Sequence, residues 1–223
     1  MYAADLSKIA TDDFAQSLLE VELIPSRRVL KDHILDVVVA LHERDVHDLE
    51  ALRRLLRDKR GHGRLAPELG VDAGYLTLLA REVNAYLVKP LALARIEGLQ
   101  EPELERMAAA GVTSTRDCYE RAATTLGRSS LAAETGLPAE RLLEVLELCD
   151  LLRVTGLGPA SAVAFQAIGI SSPSDYLATE SAVIQARYAD WTEEHTGRRE
   201  VLGLSDIDYC RRYAAVLDED IER

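Results

Sequence analysis

Aromatic residues are scarce in this chain: two phenylalanines, one tryptophan and eight tyrosines make 5% of its 223 residues. Cysteine is scarcer. Cys118, Cys149 and Cys210 are odd in number and form no CxxC pair, which argues against a disulfide framework and against thiolate zinc spacing. Cys149 and Cys210 fall on apolar helical faces and are expected as buried free thiols, the ordinary state in a cytosol. His33, His42, His47, His62 and His195 are scattered. His42 and His47, five apart, are expected on different helical faces, so no metal site is assigned. No apolar stretch approaches the roughly 18–20 residues that span a bilayer. The opening "MYAADLSKIATDDF" is acidic and mixed, without the apolar core of a signal peptide. These absences point to a cytoplasmic protein with no membrane contact. HExxH, P-loop, nucleophile-elbow and strand-borne GxGxxG patterns are also missing. No catalytic residue and no cofactor are therefore assigned.

What the chain does have is alanine, leucine and glutamate, with 48% hydrophobic residues overall. These side chains lose little rotamer freedom in a helix. No segment alternates with period two for long enough to make a strand, so the expected fold is all-α. Acidic residues outnumber basic ones 38 to 26, a formal net charge of −12. That balance repels polyanions at long range and counts against nucleic acid unless a local basic face outweighs it.

The chain also repeats itself. "RLAPELGVDAGYL" from Arg64 returns as "SLAAETGLPAERL" from Ser130, 66 residues on, and pairs Gly70 with Gly136. "RIEGLQEPELERMAAAGVTSTRD" from Arg95 returns 58 residues on as "RVTGLGPASAVAFQAIGISSPSD" from Arg153, pairing Gly98 with Gly156 and Gly111 with Gly169. Gly203, 67 after Gly136, is matched to it in the last copy. Behind residues 1–17, three copies fill roughly 18–90, 91–148 and 149–217, the last with an insertion at about 178–200, before an acidic tail at 218–223. Each copy reads as short helices. In the third, a turn at Gly156-Leu157-Gly158 opens a helix with Ala160, Val163, Ala164, Ala167 and Ile168 as its apolar stripe, stopped by Gly169. Ser172–Asp175 and Ser114–Asp117 are capping boxes that start the next helices. This accounts for Asp117 and Asp175 without catalysis. The longer helix after Gly136 should bury Leu142, Val145, Leu146 and Cys149, and its counterpart Leu76, Leu79, Ala80 and Val83.

Tandem turns of this kind, each followed by a capped helix, resemble the helix-hairpin-helix superfamily. From Phe14 to Leu217 the chain also resembles a bacterial family known only as a domain of unknown function, through "ELIPSRRVLKDHI", "LVKPLALARIEGL" and "DLLRVTGLGPASA". The resemblance implies three divergent repeats of SAM or helix-hairpin-helix type. Hairpins of that superfamily hold a nucleic-acid backbone, and the physics needs two parts: free N–H donors at the turn and second helix N-terminus, and a nearby Lys or Arg.

No copy combines both parts. The third hairpin has Gly156, Leu157 and Gly158 but no Lys or Arg between Arg153 and Arg187. The second keeps Gly98 but is ringed by Glu97, Glu101, Glu103 and Glu105. The first offers Arg27, Arg28 and Lys31 without a glycine. A separate basic run holds Arg53, Arg54, Arg57, Lys59, Arg60 and Arg64 on a helix end and the following loop. Cations there complement the helix dipole, and the same run can dock an acidic partner or a phosphate backbone. The late aromatics Tyr176, Tyr188 and Trp191 sit in or just before the insertion, read as a loop that either lids its own core or meets a partner. The expected function is a non-catalytic interaction or scaffold protein with another protein as partner. The alternatives are weak, sequence-independent DNA or RNA binding through the third hairpin and the basic run, and, lower, a small-ligand site or an unfamiliar active site.

Overall fold

The computed structural model describes residues 1–222, and its regular elements there are all helical. It divides into two compact units, one of residues 4–87 and one of residues 88–222 together with Met1–Ala3. No helix among the described residues is long and apolar enough to cross a membrane.

The first unit carries α1 (Thr11–Glu20), α2 (Val29–His42), α3 (Leu49–Leu56), α4 (His62–Glu68) and α5 (Ala73–Asn84). Aspartates start several of these elements. Asp48 accepts the Ala51 amide at 2.8 Å and Asp72 the Tyr75 amide at 2.8 Å, each meeting one of the unpaired donors of a first helical turn. Phe14, Leu18, Leu30, Ile34, Leu41, Leu49 and Leu52 interlock in the core with the α5 face of Leu76, Leu79, Ala80 and Val83, all buried. Each of these side chains except that of Ala80 contributes about 1.5–3 kcal/mol by leaving water. Tyr75 is tied in by its hydroxyl, which donates to Leu30 O at 3.0 Å.

The second unit carries α6 (Glu101–Ala109), α7 (Thr115–Ala122), α8 (Thr125–Thr135), α9 (Ala139–Leu151), α10 (Pro159–Ala167), α11 (Pro173–Ala178), α12 (Ser181–Thr196) and α13 (Leu204–Ala214). Leu142, Val145, Leu146 and Cys149 are all buried on α9. The Ser114 box closes from both sides: Ser114 Oγ accepts the Asp117 amide at 3.3 Å, and Asp117 Oδ2 accepts the Ser114 amide at 2.9 Å. Ser172 Oγ accepts the Asp175 amide at 3.0 Å, while the Asp175 carboxylate reaches one residue further back, to the Ser171 amide at 3.0 Å.

Positive φ marks matched positions in the sequence. Gly70 and Gly136 have φ of 69° and 66°, Gly111 and Gly169 have 76° and 85°, and Asp45 also has a positive φ, 60°. Asp45 is the one non-glycine residue with positive φ among those described. It turns the chain back after α2 and brings the rings of His42 and His47 to 4.8 Å, not onto different faces of one helix.

Three details differ from the sequence expectations. The buried face of α10 is Ala162, Ala164 and Phe165, whereas Ala160 and Ala167 are exposed. Nearly every residue of that helix is apolar, so periodicity could not choose a face. Gly203 is the N-cap of α13 with φ −66°, and the left-handed cap that ends α12 is Gly197, at φ 70°. The insertion is a sixteen-residue helix, and its Tyr188 ring packs edge-on against Phe165 at 6.0 Å. Near the end of the described residues, Ile221 is buried, and the Glu222 amide donates to Ala123 O at 2.9 Å.

Candidate functional site

At the third hairpin, Gly156 has φ 101°, a region that favours glycine. A Cβ added there would lie 2.5 Å from Cys210 Sγ on α13. The turn therefore presses on a neighbouring helix. Leu157, Phe165, Tyr176, Ile207 and Cys210 surround a small cavity of about 60 Å³ beside it. Burial and the nearby Asp206 carboxylate push the Cys210 thiol up to about 11, so it stays protonated near neutrality and is a poor nucleophile. Gly158 is different. It caps α10 with φ −93°, and a Cβ there would meet nothing within 4 Å.

Arg153, the cation closest in sequence to this turn, is 1% exposed and faces the interior. Its Nε donates to Tyr2 O at 2.8 Å, and its Nη1 to Asp150 Oδ1 at 2.5 Å and to the Tyr119 hydroxyl at 2.7 Å. Nη2 donates to Met1 O and Asp218 O, both at 3.1 Å. All five guanidinium donors are thus engaged, and the charge lies 4.3 Å from the centre of the Tyr119 ring. Arg187, the next cation, reaches Ile168 O at 3.5 Å, at the far end of α10. The third hairpin has an open helix start and no cation of its own chain segment turned toward it.

The second hairpin turns at Gly98, with φ 88°. The start of α6 is occupied by its own acid: Glu103 Oε2 accepts the Gln100 amide at 2.8 Å. Arg141 on α9 binds that carboxylate at 2.7 Å and 3.1 Å and also donates to Gly98 O at 3.0 Å. The hydrogen bond from Arg141 holds the Glu103 carboxyl below the usual carboxylate range. A carboxyl lowered by folding contributes stability that is present above its unfolded value of about 4.3 and is lost as pH falls through the folded value. Glu103→Gln should therefore lose stability at pH 7 and show a smaller further loss between about pH 4.5 and 3 than the parent. Chemical denaturation at stepped pH checks this, and equal pH dependence in both proteins would contradict it.

The first hairpin's cations are also spent locally. Arg27 pairs with Glu82, which is fully buried on α5. Arg28 donates to Leu23 O at 3.2 Å, and Lys31 donates to Leu19 O at 2.9 Å.

The basic run behaves otherwise. Arg53 and Arg54, in the last turn of α3, pair with Glu50 at 3.5 Å and 3.0 Å, and Arg53 Nε donates to Asn84 Oδ1 at 3.3 Å. Arg57, Lys59, Arg60 and Arg64 are exposed and make no ion pair among the described residues. Asp58, within the run, is exposed and caps the 3₁₀ turn Lys59–Gly61, accepting the Arg60 amide at 3.0 Å. Beside this turn lies a cleft of about 300 Å³ lined by Lys59 and, from α5, Thr77, Ala80, Arg81, Asn84 and Ala85. The sequence carries no sign of Arg81, an isolated arginine on the polar side of α5, as a member of this group. Only packing of α5 against α3 and α4 brings it there.

Cys118, Cys149 and Cys210 are all buried and free. Cys118 on α7 and Cys149 on α9 meet thiol to thiol, and burial raises the Cys149 thiol well above its ordinary value. Among the described residues, no three His, Cys, Asp or Glu side chains are placed to hold a metal ion.

The helices from α6 to α13 define an all-helical domain, and the family described as a domain of unknown function (DUF4332) matches it over residues 97–213, just over half of the chain. The chain belongs to that family. Neither the curated proteins nor the solved structures contain a significant match. The basic run and its cleft lie outside the matched segment.

Proposed function

We propose that this protein is a non-catalytic helical interaction module, built from divergent helix-hairpin-helix-like repeats, whose contact surface for an acidic protein partner is the basic run Arg53–Arg64. One observation carries the reading. Arg57, Lys59, Arg60 and Arg64 are exposed and without an acidic partner among the described residues, in a protein with 38 acidic residues to choose from. The cations nearest the hairpins are instead consumed by hydrogen bonds to their own unit. A cluster of unpaired positive charge on an acidic protein favours an acidic partner and steers its approach. The glycine that most resembles a nucleic-acid grip, Gly156, is accounted for by its contact with Cys210. The buried thiols suit a reducing compartment, consistent with a cytoplasmic role.

The test is fluorescence anisotropy of a labelled polyglutamate peptide of about 20 residues, titrated at low and moderate salt. Binding should weaken with salt and fall at least about tenfold in the charge-reversed variant Arg57→Glu/Arg60→Glu/Arg64→Glu, given about 0.2–1 kcal/mol for each exposed pair removed plus the added repulsion. Gly158→Ala should leave it unchanged. No binding at low salt, or equal binding by the reversed variant, overturns the reading.

A further inference from the structure

The cleft between the 3₁₀ turn Lys59–Gly61 and α5 is a more specific feature than the run that borders it. Its polar lining can be sorted by what each group still has to offer. The Thr77 hydroxyl donates to Ala73 O at 3.0 Å, and Asn84 Nδ2 donates to Ala80 O at 2.6 Å. Asn84 Oδ1 is taken by Arg53 Nε at 3.3 Å. The donors left over belong to Lys59 and Arg81, which make no ion pair among the described residues and both line the cleft. The carboxylate next to Arg81 in sequence, Glu82, is fully buried and bound by Arg27. The carboxylate next to Lys59, Asp58, is held by the turn it caps. Two cations therefore line a cavity of about 300 Å³ that no acidic side chain lines.

That arrangement discriminates among anions. A side-chain carboxylate can bridge two cations, as Glu50 does for Arg53 and Arg54, but it carries one charge against their two. A backbone phosphodiester also carries one charge, and it is substituted on two sides, so it needs a track that continues past the site in both directions. A phosphate monoester carries between about 1.5 and 2 negative charges near neutrality and three terminal acceptor oxygens on one stalk. It matches the planar guanidinium fork of Arg81 together with the point charge of Lys59, and the cleft is large enough to take the group and the start of its stalk. Resting on the reading of the basic run as a partner surface, we infer that this cleft binds a phosphate monoester, and that the partner presents it as a phosphorylated side chain. Arg53, itself paired with Glu50, supports the site at one remove: its bond to Asn84 orients the rim residue.

The experiment is isothermal titration calorimetry of the whole protein with four probes: a short uncharged peptide carrying one phosphoserine, the same peptide with serine, the same with glutamate, and adenosine monophosphate. The expected result is binding of the phosphoserine peptide and at least tenfold weaker binding of the serine and glutamate forms. Lys59→Ala/Arg81→Ala should lose at least tenfold, and Arg64→Ala, which removes a charge from the run but not from the cleft, should lose less than about threefold. Thermal melts of each variant establish that the fold is kept. Equal affinity for adenosine monophosphate, lost in the same double variant, would keep the monoester site and assign the stalk to a nucleotide. Equal binding of the glutamate and phosphoserine peptides, or equal losses in Lys59→Ala/Arg81→Ala and Arg64→Ala, overturns the cleft while leaving the basic surface in place. Polyglutamate that fails to bind while the phosphopeptide binds through Lys59 and Arg81 overturns the broader surface and leaves the cleft. No binding of either phosphate probe overturns it outright.

Discussion

Arg153→Ala is expected to cost the C-terminal unit about 3–5 kcal/mol, the range for removing one partner of a buried ion pair. The size follows from what the guanidinium holds. It pairs with Asp150, itself 2% exposed, and its remaining donors gather the Tyr119 hydroxyl and three backbone carbonyls, those of Met1, Tyr2 and Asp218. Truncation takes the cation from Asp150 and strips those oxygens of a buried donor, each at a desolvation cost of about 1–3 kcal/mol before relaxation. Lysine should not rescue it, because one ammonium with three donors cannot span these acceptors. Arg153→Met/Asp150→Leu should recover part of the loss, since the charge is then removed from both sides. The single tryptophan, Trp191 on α12, reports on this unit alone, so denaturant titration followed by its fluorescence is the appropriate measurement. A loss below about 1 kcal/mol would mean that the clasp is dispensable.

The second large effect separates the two glycines of the "GLG" turn. Gly156→Ala is expected to cost about 2–4 kcal/mol, combining a strained positive φ at roughly 1–3 kcal/mol with overpacking against Cys210 Sγ at roughly 1–3 kcal/mol, partly relieved by movement of the thiol. Cys210→Ala in the same chain should restore part of that loss by vacating the space, leaving the φ strain. Gly158→Ala should stay within about 0.5 kcal/mol. Alanine is the poorer N-cap, but it also lowers the entropy of the unfolded chain, and nothing lies within 4 Å of the new Cβ. Comparable losses at both positions would remove the distinction between a packing glycine and a permissive one.

The difference between these glycines marks how far the sequence was legible. The all-helical fold, the turns at Gly70, Gly136 and Gly169, the Ser114 cap and the buried faces of α5 and α9 could be read directly, because each rests on neighbours along the chain. The buried face of α10 was hidden by uniform apolarity. The left-handed residue at Asp45 was hidden by a side chain that seldom adopts that conformation. Long-range partners were hidden altogether. Nothing in the sequence marks Arg153 as the centre of a clasp, because Tyr2 and Tyr119 lie 151 and 34 residues away. Arg27 looked available until α5 supplied the buried Glu82. The cleft is a product of α5 packing beside the turn, so of its two cations only Lys59 belonged to a visible cluster.

The central claim is that attraction for an acidic partner resides in the basic run and not in the hairpin turns. Hydrogen–deuterium exchange with and without labelled polyglutamate, and again with a DNA duplex at the same low salt, locates the contact on the chain. The account predicts slowed exchange across residues 57–64 with polyglutamate and no change at residues 156–162 with either ligand. Protection of 156–162 by the duplex, with 57–64 unaffected, would contradict it and return the function to the third hairpin.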